Sequence, residues 1–114
     1  MKKIEELIQS FVKSAQYIDE NYISGDVNEH NKHAKNIIKI TEHLDKRSIL
    51  DRLKPLLNHP TNYVRLIAAY HLLSIDEESA KKVYKEIISK NIPFMSFNAK
   101  ISLDQWEENK NNAQ

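Results

Sequence analysis

His30 and His33 stand three residues apart with Glu29 beside them, and His43 follows further along. Two imidazoles one helical turn apart can reach a single ion, but structural zinc takes four ligands and catalytic zinc at least three. The chain has no cysteine to complete such a set, and no H-E-x-x-H is present. No metal ligand is assigned, and these histidines are expected at or near the surface. His59 precedes Pro60 and is expected to hydrogen-bond its own turn, while His71 falls on an apolar helical face as a structural residue.

Carboxylates form two groups, Asp76, Glu77 and Glu78, and Asp104, Glu107 and Glu108. The first sits where a helix begins, and the partial positive charge of a helix N-terminus attracts acids without any catalytic role. The second opens a polar C-terminal stretch. No serine, threonine or tyrosine lies in a nucleophile-elbow motif. The expectation is therefore a protein that is not an enzyme, with no catalytic residue and no cofactor.

The elements that must position these residues are read from composition and periodicity. In 114 residues there is one glycine, Gly25, with three prolines and no cysteine. Sheets and phosphate-cradling loops depend on glycine at turns with positive φ, and disulfides on cysteine, so an all-α single domain held by packing is expected. Seventeen Lys and Arg oppose sixteen Asp and Glu. That balance lacks the electropositive excess of nucleic-acid binders. Only residues 46–59 lean basic, through Lys46, Arg47, Arg52 and Lys54. The N-terminal MKKIEELIQS has no apolar signal core and no stretch approaches a membrane span, so a cytoplasmic location is expected.

Apolar residues recur at spacings of three and four from Ile4 to Tyr22, predicting a helix over 3–23 with Gly25 as its left-handed C-cap. Asp26 and Glu29 form a variant capping box that opens a second helix to about 44. A third is predicted over 46–57, with Pro55 kinking or shortening its end. The fourth, over 62–75, is apolar nearly all round and hence central and buried. Asp76 caps a fifth over 77–90, and Ser96 caps a sixth carrying Ala99, Leu103 and Trp106. Residues 1–108 form the domain, and 109–114 a polar tail that frays.

Six helices with short connections favour antiparallel hairpins. The segment Leu56-Leu57-Asn58-His59-Pro60, followed by Val64-Arg65, Ala68-Ala69 and Leu72-Leu73, resembles a HEAT-type repeat, suggesting a short solenoid. With Gly25-Asp26, Asn31 and Ala99-x-x-x-Leu103-x-x-Trp106, these residues resemble the bacterial domain-of-unknown-function family DUF2019, whose members are single HEAT-like helical domains. Positions 66 and 67 depart from it, being Leu and Ile where an aromatic is common. The resemblance implies a fold and says little about activity. The likeness to HEAT-type repeats implies that Arg65 is a structural anchor tying the turn between helices, with a contact to a bound anion or partner as the alternative; Gly25 and His59 are expected as structural anchors from their places in turns.

Solenoid surfaces mostly hold proteins, so a protein partner is expected. The most specific expectation, an analogy of class, is an immunity protein that blocks a cognate toxin domain. Its contacts would be Asp76, Glu77, Glu78, Asp104, Glu107 and Glu108, with Tyr63 and Tyr70 as aromatic anchors. The alternative is a DNA-backbone binder related to the HEAT-like alkylpurine glycosylases, using the basic segment 46–59 and Arg65.

Overall fold

The computed structural model describes residues 3–112, which fold into six helices with no strand among them. Five are α-helices, α1 (Ile4–Glu20), α2 (Val27–Lys46), α3 (Asn62–Leu72), α4 (Glu77–Ser89) and α5 (Met95–Asn112), and a 3₁₀ helix spans Leu50–Asn58 between α2 and α3. Each packs against its chain neighbour, with α3 also contacting α1. Phe11, Leu44, Leu53, Val64, Leu72 and Ile87, drawn from five of the six elements, are fully buried in one core. No helix among the described residues is long and apolar enough to cross a membrane.

The expected third α-helix is instead the 3₁₀ helix, and α2 runs on to Lys46. Ser48, at φ 59°, breaks the α-helical path, and Pro55 lacks the N–H that an α-helix would direct at Asp51. Leu50, Leu53 and Leu56 recur every three residues, the period at which side chains of a 3₁₀ helix align. That spacing buries Leu53 and Leu56 together.

Helix α1 ends earlier than its periodicity suggests, because Asn21 caps it: both its backbone N–H and its Nδ2 donate to the Tyr17 carbonyl. Gly25 is therefore not the C-cap. It closes the turn at φ +113°, and a Cβ there would lie 3.0 Å from Asn21 Cβ. Nor is it the only special backbone position, since Ser48, Asn91 and Phe94 also have positive φ. Asp26 accepts from the N–H groups of Asn28 and Glu29 and Asp76 from that of Ser79, so the carboxylate caps form at α2 and α4. The return half of the expected capping box is replaced, because Glu29 turns towards His33.

Helix α5 also differs. Ser96 lies inside its first turn, where Oγ accepts from the Ile92 N–H and donates to the Ile87 carbonyl, tying the end of α4 to the start of α5. Glu107 through Asn112 are helical rather than frayed, so most of the expected 109–114 tail is an extension of α5, with Ala113 and Gln114 outside the described residues. Helix α3 ends at Leu72, and it is not covered all round: Ile67 is half-buried and Tyr70 exposed.

Candidate functional site

Folding brings part of the two acidic groups together. Glu77, in the first turn of α4, accepts from Trp106 Nε1 at 3.1 Å and from Lys110 Nζ at 2.7 Å, both on the last turns of α5. Lys81 lies between Glu77 and Glu107 and pairs with both. Hydrogen bonds from Lys110 and Trp106 hold the Glu77 carboxyl below its ordinary range, and that to Glu107 raises the Lys81 ammonium. This network explains why the polar end of α5 stays helical. Asp76, lowered chiefly by its bond with Ser79, caps α4 and faces Lys54 at 3.8 Å. Asp104 pairs with Lys100 one turn away, while Glu78 and Glu108 are exposed. Four of the six nominated acids are thus engaged within the chain.

Arg65 is 13 % exposed and joins three elements: Nε donates to the Leu57 carbonyl at 3.0 Å, and Nη2 pairs with Glu86 of α4. The Arg65 hydrogen bond in turn lowers the Glu86 carboxyl. Beside it, His59 Nδ1 accepts from the Thr61 N–H, so the imidazole closes the turn before α3.

The histidines of α2 have other partners. His33 Nδ1 shares a hydrogen bond with Ser14 Oγ at 2.9 Å, its Nε2 lies 3.8 Å from Glu29, and its ring stacks on Tyr17. Asn36 Nδ2 donates to both Ser10 and Ser14. This Ser–His–carboxylate line is invisible in sequence, since its members are nineteen residues apart across two helices. Ser14 is only 3 % exposed, so its hydroxyl joins α1 to α2 rather than meeting a substrate. Among the described residues no three His, Cys, Asp or Glu side chains are grouped to hold a metal.

Among the surface hollows of the described residues, one groove is lined by large apolar side chains from two helices. Helix α1 packs on both α2 and α3, whereas α2 and α3 barely touch, leaving a cavity of about 500 Å³ between them. Ala34, Ile38, Glu42 and Asp45 line it from α2, at spacings of four and three that place them on one side of that helix. Tyr63, Ile67, Tyr70 and His71 line it from α3. Ile38 is 52 % and Tyr70 53 % exposed. Burial lowers His71 to about 4, so its imidazole is neutral near pH 7, and burial pushes the Tyr63 hydroxyl up to about 12.

Tyr63 is also a wall of a second hollow formed with Tyr22, Ile23, His30 and Phe94, so the two hollows share its side chain. Its N–H donates to Asp19 and its ring packs against Tyr22, whose hydroxyl accepts from Asn98. Phe94 is 64 % exposed at φ 64°, a left-handed conformation that costs a bulky residue roughly 1–2 kcal/mol. Of the residues nominated from sequence, Tyr63 and Tyr70 stand in this groove. Ile38, Glu42, Asp45, Ile23 and Phe94 were missed, and the signal for Ile38 was its place on α2 outside the buried stripe of Ile37, Ile40 and Leu44.

The family described as Domain of unknown function (DUF2019) matches residues 5–107. The chain belongs to this family. A crystal structure of the protein RPA1889 from Rhodopseudomonas palustris CGA009 superposes on the DUF2019 chain with a TM-score of 0.88 at 21 % identity, covering 95 % of this chain and 91 % of that one. At that identity the likeness is one of fold. No protein of curated function matches the chain.

Proposed function

We propose that this DUF2019 domain is a non-catalytic protein-binding module, a HEAT-like stack of antiparallel hairpins that seats part of a partner between α2 and α3. One observation carries it: the groove holds large apolar side chains, Ile38 and Tyr70, half exposed to water. Contiguous exposed apolar surface is unfavourable unless a partner covers it, and tyrosines are enriched among residues that dominate binding energy. Specifically, the partner is a cognate toxin domain and the module an immunity protein, by the class analogy drawn from the sequence. Tyr63 and Tyr70 serve as the aromatic anchors, and the acidic contribution comes from Glu42 and Asp45 rather than from Glu77 and Glu107, which hold α5.

The test is tagged capture from the source organism followed by mass spectrometry, with wild type, Tyr70→Ala and Ile38→Ser run in parallel. A partner retained by wild type and lost by both variants is the expected result. Equal recovery by all three overturns the groove as the docking surface. Mobility shift of duplex DNA that survives moderate salt would instead favour the nucleic-acid reading. For the immunity role, the protein encoded beside this gene is the partner to co-express, and survival of cells making both is expected.

A further inference from the structure

Three properties of the groove constrain what fits it. Its lining carries two carboxylates, Glu42 and Asp45, and no lysine or arginine, in a chain whose overall charge is +1. A second hollow that shares Tyr63 as a wall carries the exposed Ile23 and Phe94. Both long walls are helices, so no strand edge offers backbone groups to pair with. An extended segment lying there would leave its own N–H and C=O groups facing apolar side chains, whereas a helix satisfies them internally. From His30 to Asp45 the α2 wall rises about 22 Å at ~1.5 Å per residue.

We propose that the occupant is one amphipathic helix of a partner protein, about four turns long, with its apolar stripe on Ile38, Ile67 and Tyr70. A Lys- or Arg-bearing end meets Glu42 and Asp45, and an apolar end meets Ile23 and Phe94. The occupant's chemistry rests on the groove being a protein-docking surface. Charge pairs at such a rim set register and discriminate between partners more than they add affinity. Phe94, held in its left-handed conformation, gives the second hollow a fixed apolar contact, so the occupant is oriented by what stands in each of the two hollows.

The experiment uses two fluorescein-labelled helical peptides about fifteen residues long, with the same leucine stripe, one carrying lysines at one end and the other glutamates there. Binding is followed by fluorescence anisotropy to the full chain and to the Glu42→Lys/Asp45→Lys double variant, with folding of each checked by circular dichroism. Wild type is expected to bind the lysine peptide about tenfold tighter than the glutamate peptide, as two exposed pairs of this kind allow. The double variant inverts the order, and Phe94→Ser weakens both peptides equally.

The same order in both proteins overturns the proposal. So does concentration-dependent dimerisation of the chain that Ile38→Asp abolishes, which makes a second copy the occupant. If the peptides show no charge order while Tyr70→Ala still loses the captured partner, the helix chemistry fails and the docking surface stands. If Tyr70→Ala changes neither, both fail.

Discussion

His71 offers a direct measure of how dry the groove wall is. Its folded value is about 4 against an ordinary 6.5, with burial as the cause, although Glu42 and Asp45 line the same cavity. Between those values the unfolded chain holds a proton that the folded chain does not. Unfolding therefore takes up a proton, and stability falls as pH drops from about 6.5 to 4, then levels off with respect to this residue. At ~1.36 kcal/mol per pK unit the full effect is about 3 kcal/mol. Near pH 5, where the unfolded imidazole is almost wholly charged and the folded one about a tenth charged, it is about 2 kcal/mol.

Urea denaturation of wild type and His71→Asn, each at about pH 7.5 and 5, isolates this contribution. The substitution shifts stability at both pH values, and only the difference between the two shifts counts. The lowered carboxylates Asp76, Glu77 and Glu86 act in both proteins alike and cancel. Wild type is expected to lose about 2 kcal/mol more than the variant on acidification. Its imidazole resonances should titrate near pH 4. Parallel losses in the two proteins, or an imidazole that titrates at pH 6 or above, would refute the burial reasoning.

Arg65→Ala removes the donor to the Leu57 carbonyl and leaves Glu86 without its cation; a loss of about 2–3 kcal/mol is expected in chemical denaturation, with Glu86→Gln losing well under half of that. Gly25→Ala places a Cβ 3.0 Å from Asn21 Cβ at φ +113°, and calorimetry should show a loss of about 1–2 kcal/mol, with Gly25→Val worse. Glu77→Gln weakens the seam holding Trp106 and Lys110, so amide exchange should quicken across residues 106–112 while α1 and α2 keep their protection. Uniform exchange along α5 in that variant would show that its last turns need no such anchor.

The helices were legible because their cause is local. The spacing of Ile4, Phe11, Ala15 and Ile18 places the buried face of α1, and Asp26 and Asp76 mark helix starts by satisfying free N–H groups. The Leu50, Leu53, Leu56 spacing with Pro55 also held the 3₁₀ signal, but four apolar residues in nine fit an α-helical stripe as readily. The polar composition of Glu107 to Asn112 predicts a frayed end to α5, whereas Lys81 and Glu77 of α4 pair there with Glu107 and Lys110.

Periodicity along one chain decides which face of each helix is buried, and so the sequence by itself determined an all-helical domain with its core stripes and the carboxylate caps of α2 and α4. It could not decide which buried-looking faces meet a neighbour. Tyr70 and Ile38 lie on helices whose buried faces pack elsewhere in the core, and they remain half exposed because α2 and α3 each pack on α1 and barely on one another. The engagement of Glu77 and Glu107 with lysines and the alignment of Ser14 with His33 likewise depend on helix-to-helix distance and rotation. Those are set by how the whole core packs, and no local pattern of residues encodes them.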